Sequence, residues 1–275
     1  MINKKTYIER PEDVDWVYFW KNALENKKDK DKDWNEAAPH FNKRAKKDSY
    51  LDFLFSKLIL SNNDTVLDLG CGEGTVTIPI AKKVKSVTGL DSAYKMLEIL
   101  EENSKKEGIS NINTILTDVE DISKDKLGSY DIIVASRSLN GIIPIDEILF
   151  KINEIASKYV FITVFGPENW KIEKEFKKEI GLYEESFPEY NYFFNILFNM
   201  GIYPNIERFN NAKYREYNTI EEAMDNGKFR LDLLDDNQKE DLRKYLKKIL
   251  KKDPKSGKLY NEKDKADWIL IWWEK

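Results

Sequence analysis

The sequence is short of the residues that build metal clusters and disulfides. It holds one cysteine, Cys71, and one histidine, His40. A lone cysteine excludes an internal disulfide and any cysteine-cluster zinc site. A lone histidine leaves no histidine-based metal site either, so no metal is expected. Long apolar runs are missing too. Nothing approaches the roughly 18 consecutive apolar residues that a bilayer-spanning helix needs, and the first residues, Met1 to Tyr7, have no apolar core of a secretory leader. The expectation is a soluble, cytoplasmic chain with no membrane partner. A basic excess is absent as well: 45 Lys and Arg stand against 49 Asp and Glu, giving a net charge of −4. The global electrostatic footprint of a nucleic-acid binder is therefore lacking. Two local basic runs remain, Lys43–Lys47 and Lys247–Lys252. They read either as solvated helix faces or as a route to a protein or tRNA partner.

Aromatic and apolar residues are plentiful. The chain has 14 Phe, 14 Tyr and 7 Trp in 275 residues, enough for one large domain with a cap. Residues 1–64 read as helical. Val14–Trp20 is rich in aromatics, Asn26–Asp33 is nearly all charged, and Ser49–Leu60 sets Leu51, Leu54, Phe55 and Leu58 at helical spacing. From Thr65 strands and helices alternate. Strands are predicted at Thr65–Leu69, Ser86–Leu90, Asn113–Thr117, Tyr130–Ala135 and Tyr159–Phe165, with helices near Thr75–Lys83, Ser92–Lys106 and Ile145–Ser157. Continuous apolar runs such as Ile132-Ile133-Val134 suit strands buried on both faces. This rhythm implies a mostly parallel, doubly covered sheet, an α/β Rossmann-like fold. Residues 167–188 break it, and a second insertion spans 219–256. A helix near Tyr190–Met200, a strand at Tyr203–Phe209 and helices from Thr219 and at Asn237–Lys251 follow. The terminal Trp268–Trp273 reads as a buried strand. The division expected is a helical cap, 1–64, on a domain of residues 65–275.

The first strand runs into Asp68-Leu69-Gly70-Cys71-Gly72-Glu73-Gly74 and then a helix. Glycines let the chain turn sharply and let a ligand approach the backbone, and the helix start offers free N–H groups. A dinucleotide fingerprint beginning at Gly70 needs a glycine at 75, where the chain has Thr. An acid two residues before the first glycine suits a cation, such as an ammonium or sulfonium, rather than a pyrophosphate. Asp91 closes the second strand, where a carboxylate accepts ribose hydroxyls. Asp118 follows the third, where it can accept an exocyclic adenine amine. Each acid alone could serve as a helix N-cap. Three of them at successive strand ends point to one crevice.

Asp68-x-Gly70-x-Gly72-x-Gly74, then Asp91, then Asp118, resembles motifs I, II and III of the class I, Rossmann-like S-adenosylmethionine-dependent methyltransferases. The resemblance implies a seven-stranded sheet with an antiparallel last strand, and S-adenosylmethionine as cofactor. Gly70, Gly72 and Gly74 would bound its methionyl part, Asp91 the ribose, and Asp118 with Val119 the adenine. Asp68, Cys71, Ser92, Met96 and Ser136 complete the cofactor set. Trp34-Asn35-x-Ala37-x-x-x-Phe41 resembles the helix that caps the cofactor in small-molecule members, which adds Phe41. Cys71 reads as a small space-filler between glycines.

The same resemblance puts the methyl acceptor beyond the fourth strand, at Ala135-Ser136-Arg137-Ser138-Leu139-Asn140. That run departs from the Asn/Asp-Pro-Pro-Tyr motif of members that methylate adenine or glutamine amides. Arg137 could clamp a carboxylate or phosphate with its planar fork, or serve as a structural ion-pair partner. His40 could be a general base or a surface histidine. Trp16, Trp20, Trp170, Phe187, Tyr190 and Tyr192 are candidates for an acceptor pocket or for core. The leading expectation is methyl transfer to a small molecule with an anionic group. Protein or tRNA methylation, a non-methyl transfer from the same cofactor, and a non-catalytic cofactor-binding module stay open.

Overall fold

The structure, a computed structural model, describes residues 10, 13–25, 33–41, 49–182, 188–209, 213–226, 229, 231 and 234–275, with the backbone alone for 39–41 and 226. The basic run Lys43–Lys47, Phe187 and most of the charged run Asn26–Asp33 lie outside the described residues. The chain divides into two compact units. One comprises residues 1–164, 188–207 and 269–275, the other 165–187 and 208–268.

Three helices come first, α1 (Trp16–Glu25), α2 (Trp34–Phe41) and α3 (Ser49–Lys57). The alternation follows: β1 (Thr65–Leu69), α4 (Thr77–Ala81), β2 (Ser86–Asp91), α5 (Tyr94–Lys106), β3 (Ile112–Leu116), α6 (Lys124–Leu127), β4 (Tyr130–Ser136), α7 (Ile145–Ile155) and β5 (Ala156–Phe165). Then come α8 (Lys171–Glu179), α9 (Tyr190–Asn199), β6 (Asn205–Phe209), β7 (Tyr214–Tyr217), α10 (Ile220–Asn226), α11 (Asp236–Ile249), β8 (Lys251–Lys252), β9 (Leu259–Lys265) and β10 (Trp268–Glu274). The main sheet has the order β3-β2-β1-β4-β5-β10-β6 and is parallel except for one antiparallel strand. It is the Rossmann-like sheet expected from the sequence.

The register explains why the central strands are apolar throughout. β1 lies between β2 and β4, with Leu67 opposite Thr88 on one side and Ile133 on the other. Val66, Leu67, Leu69, Ile132 and Ile133 are wholly buried. A strand in this position has helices over both faces and no solvent face to mark with polar residues. Burying each such side chain contributes about 1.5–3 kcal/mol relative to exposure. Strand order reverses between β1 and β4, so the carboxyl ends of β1, β2 and β4 open the crevice where such sheets hold ligands.

The second unit carries a separate three-stranded sheet, β7-β9-β8, antiparallel in both pairings. Its core includes Phe176, Tyr217, Leu242 and Leu246. Thr219 caps α10, its hydroxyl accepting the Glu222 N–H at 3.0 Å, while the Glu222 carboxylate accepts the Asn218 N–H at 2.6 Å. The helix predicted to run to Lys251 stops at Ile249, because Lys251 and Lys252 pair with Tyr260 and Leu259 of β9.

Candidate active site at the carboxyl ends of the central strands

The glycine loop turns back on itself through three left-handed residues, Gly70 at φ +70°, Gly72 at +53° and Gly74 at +91°. A side chain is strained in that region whatever the space around it. The three glycines then differ in what surrounds them. A Cβ on Gly70 would collide with Ser138, and one on Gly74 with Leu100. These two are required by packing. A Cβ on Gly72 would meet only the Met96 sulfur, at 3.9 Å, and otherwise open space. Gly72 is thus the point where a ligand can reach the backbone. The N–H groups of Gly70 and Cys71 both donate to the Leu90 carbonyl, at 2.7 and 3.0 Å, and clip the loop to the end of β2.

Asp68 and Asp91 face this loop from two strands. Asp68 is 1% exposed and its Oδ2 accepts the Thr77 hydroxyl at 2.6 Å. Burial pushes its pKa up to about 7; the Thr77 bond opposes the rise and the charge of Asp91 adds to it. Asp91 is half-buried and accepts N–H donors from Gly72 and Ala93, each at 2.9 Å. Its pKa is also raised, by burial first, against those backbone bonds. Glu73 is buried beside them and adds to the raising field at Asp91. Among the described residues no ion pair to Asp68, Glu73 or Asp91 is found, so three acidic groups gather at the loop, Asp68 keeping its proton up to about pH 7. Cys71 packs with Ile78, Leu97 and Leu100, and burial drives its thiol pKa far up. It fills space and is no nucleophile.

Asp118 lies at the next strand end. It is exposed and caps a 3-10 turn, Val119–Asp121, by accepting the Glu120 N–H at 2.9 Å. The end of β3 is tied to β2 by Thr117 N–H donating to the Asp91 carbonyl at 3.1 Å. Ser92 is exposed and Met96 is buried at the start of α5, packed with Ala38 and Ala93. Ala38 belongs to α2, and Asn35 on the same helix accepts the Lys95 N–H at 3.1 Å. The helix that carries His40 and Phe41 is therefore docked on the amino end of α5. The side chains of His40 and Phe41 lie outside the described ones.

The end of β4 adjoins the glycine loop. The Ser138 hydroxyl donates to the Leu69 carbonyl at 2.6 Å. Arg137 is, among the described residues, the one non-glycine with a left-handed backbone, at φ +63°. Its N–H donates to the Thr163 hydroxyl at 2.9 Å, and its guanidinium stacks over the Tyr50 ring, 4.2 Å from the centroid. The Tyr50 hydroxyl lies 2.7 Å from both Ser136 Oγ and Thr163 Oγ1. Arg137 and Tyr50 make further interactions besides these. Tyr50 stands four residues before Leu54 and shares its buried face on α3, so its helical spacing marks it as core and nothing more. Trp20 is wholly buried, packs edge-on against Phe193, and donates its indole N–H to the Ile142 carbonyl at 2.8 Å. It is core that fixes the loop after β4. Trp16 and Tyr192 form an edge-to-face pair, and Trp170 stacks edge-on with Phe165 in the second unit.

Residues 60–248 match the family model described as a methyltransferase domain. The chain belongs to this family. An uncharacterized protein of Haemophilus influenzae is 28% identical over 231 residues, 83% of each chain. A 23S rRNA (uracil(1939)-C(5))-methyltransferase of Aliivibrio fischeri is 36% identical over 72 residues, which are 26% of this chain and 16% of that one. The matched segment thus spans only a small part of that relative. Among solved structures, a Bacillus halodurans chain described as a candidate methyltransferase superimposes with a TM-score of 0.57 at 17% identity, over 83% of this chain and 99% of that one. At that identity the likeness speaks for the methyltransferase fold.

Proposed function

We propose that this methyltransferase moves the methyl group of S-adenosylmethionine, in line, to a small molecule that carries an anionic group. The cofactor part rests on the cradle at Gly72: an open approach to a left-handed backbone, ringed by Asp68, Glu73 and Asp91. This is the chemistry of a site for a ligand with a sulfonium and an ammonium. When bound, the sulfonium supplies an electrophilic methyl carbon with a neutral leaving sulfur. Asp91 already accepts two N–H groups, but each carboxylate oxygen keeps a further acceptor site for a ribose hydroxyl. Gly70, Cys71, Gly72 and Gly74 would border the methionyl part, Ser92 and Met96 the ribose side, Asp118 and Val119 the adenine, and Ser136 and Phe41 the remaining edges.

The acceptor part is carried by one observation, the left-handed Arg137 at the end of β4 beside Gly70 and Ser138. A non-glycine residue in this conformation costs about 1–2 kcal/mol, and such costs cluster at functional sites. The turn holds the guanidinium over the Tyr50 ring, 4.2 Å from its centroid, and an arginine fork suits a carboxylate or phosphate. His40 is the proposed base for an acceptor that must lose a proton. Holding acceptor and methyl donor in line supplies most of the acceleration when the acceptor atom is already nucleophilic.

An RNA acceptor is the second reading, favoured by the local match to the rRNA methyltransferase and opposed by the net charge of −4. The two separate in one experiment. The protein is incubated with methyl-labelled S-adenosylmethionine and fractionated cell extract. Label in small molecules retained on an anion exchanger supports the proposal; label confined to RNA overturns it.

A further inference from the structure

We infer that Tyr50 is a positioning residue for the acceptor side of the site, acting through Arg137 and Ser136; the inference rests on the reading of Arg137 given above. Tyr50 opens α3, far from the strands in sequence, yet it is 1% exposed and touches both β4 and β5. Its two halves act differently. The ring is the platform for the Arg137 guanidinium at 4.2 Å, within the range of a cation–π contact. The hydroxyl sits between Ser136 Oγ and Thr163 Oγ1, each at 2.7 Å.

The direction of that hydroxyl chain follows from counting donors. Thr163 is 1% exposed, and its oxygen already accepts the Arg137 N–H. A buried hydroxyl hydrogen needs an acceptor, and the acceptor within reach is the Tyr50 oxygen. Thr163 therefore donates to Tyr50. That leaves the Tyr50 hydrogen for an acceptor such as Ser136 Oγ, at the half-buried end of β4. Tyr50 thus holds two groups at the end of β4, the Arg137 guanidinium through its ring and the Ser136 hydroxyl through its oxygen. The Arg137 N–H bond to Thr163 joins the two halves, because the residue whose backbone turns left-handed is hydrogen-bonded to the same threonine.

The test uses the full chain saturated with S-adenosylhomocysteine, with inorganic phosphate as the anionic probe. Seven arginines give a sparse side-chain Nε–H NMR spectrum, and Arg137→Lys assigns the Arg137 signal by its loss. In the wild type this signal should be displaced upfield by the ring current of Tyr50. Tyr50→Phe should keep that displacement but move the Arg137 backbone amide, since Thr163 loses its hydroxyl partner. Tyr50→Leu should abolish the displacement and weaken phosphate binding about 3- to 10-fold, with S-adenosylhomocysteine affinity changed less than 2-fold; Tyr50→Phe should restore most of the phosphate affinity. A wild-type Arg137 signal without ring-current displacement, or phosphate affinity equal in Tyr50→Leu and wild type, overturns the inference. If Tyr50→Leu fails to fold, an Arg137 amide unmoved in Tyr50→Phe overturns it instead. A displaced Arg137 signal that does not respond to phosphate even in the wild type refutes anion recognition by Arg137, and the positioning role with it, while leaving the stack itself intact.

Discussion

Replacing Asp68 with asparagine should stabilise the ligand-free protein at neutral and alkaline pH while making it a poorer binder of S-adenosylmethionine. Asp68 is 1% exposed, and burial lifts its pKa to about 7 from an unfolded value near 3.9. Between about pH 4 and 7 the folded chain keeps a proton that the unfolded chain has released. Folding stability therefore falls as pH rises through that window and levels off above it. A rise of this size corresponds to about 4 kcal/mol lost by pH 8. Asparagine keeps an oxygen for the Thr77 hydroxyl but adds a buried amide donor, which costs about 1–3 kcal/mol when unpaired. The net gain expected at pH 8 is about 1–3 kcal/mol. Carboxylates with lowered pKa, such as Asp131 and Asp253, act in the opposite sense but below pH 5, so they do not mask the loss between pH 5 and 8. Asp91, also raised, contributes with the same sign. Urea unfolding at pH 5, 6.5 and 8 checks this. A wild type as stable at pH 8 as at pH 5, with Asp68→Asn the less stable protein at pH 8, would refute the argument.

The same carboxyl couples ligand binding to a proton. A cation bound beside Asp68 favours its ionised form and lowers its pKa. At pH 7 binding should then release up to about half a proton from Asp68, visible as a calorimetric binding enthalpy that differs between phosphate and Tris buffers. Affinity should rise between pH 5.5 and 8 in the wild type, and Asp68→Asn should lose most of the buffer dependence. A wild-type enthalpy that is the same in both buffers would count against a cation at this position.

Gly72→Ala should cost about 1 kcal/mol of stability from its backbone angle and cut cofactor affinity sharply, whereas Gly74→Ala, which collides with Leu100, should fail first in thermal unfolding. Asp91→Ala should weaken S-adenosylhomocysteine binding by about 2–4 kcal/mol in titration calorimetry; an unchanged dissociation constant would remove its ribose role. Arg137→Lys keeps the charge but loses the planar fork, so it should raise the Michaelis constant for the acceptor while leaving cofactor affinity nearly intact; a drop in melting temperature with an unchanged Michaelis constant would mark Arg137 as a structural residue.

The glycine loop and its acids were readable from sequence because their signals are local. Val66-Leu67-Asp68-Leu69 is a buried strand by composition, Gly70 to Gly74 is a turn by residue type, and Asp91 closes a strand by position. The second unit's sheet was not readable. β9 is Leu-Tyr-Asn-Glu-Lys-Asp-Lys, whose last five residues are of types depleted in strands. It pairs because its neighbours supply opposite charges: Lys251 meets Glu262 at 2.9 Å, and Arg215 meets Asp264 at 2.5 Å. Cross-strand pairs of this kind stabilise a sheet, but they depend on contacts that no window of sequence contains. The same tertiary pairing ended α11 early and turned Lys251–Lys252, read as a basic helix face, into an edge of β8.

The acceptor side shows the same limit more sharply. The helical spacing of Leu51, Leu54, Phe55 and Leu58 marks an apolar stripe, and Tyr50, four residues before Leu54, reads on that pattern as one more core aromatic. Its partners Ser136 and Thr163 lie 86 and 113 residues away, a separation over which periodicity carries no information. Arg137 was readable as a rare residue type at a strand end, not as a strained one. Sequence rules place glycine or asparagine where φ is positive, so an arginine there predicts an ordinary backbone. The structure breaks the rule at Arg137, whose guanidinium lies over the Tyr50 ring and whose neighbour Ser138 bonds the strand that leads into the glycine loop. Natural chains tend to violate local preference at functional sites and to compensate elsewhere. The compensation here is on view in the Thr163 hydrogen bond and the Tyr50 stack. That pairing of a local cost with dedicated support makes Arg137, rather than the better-marked His40, the stronger candidate for reading the acceptor.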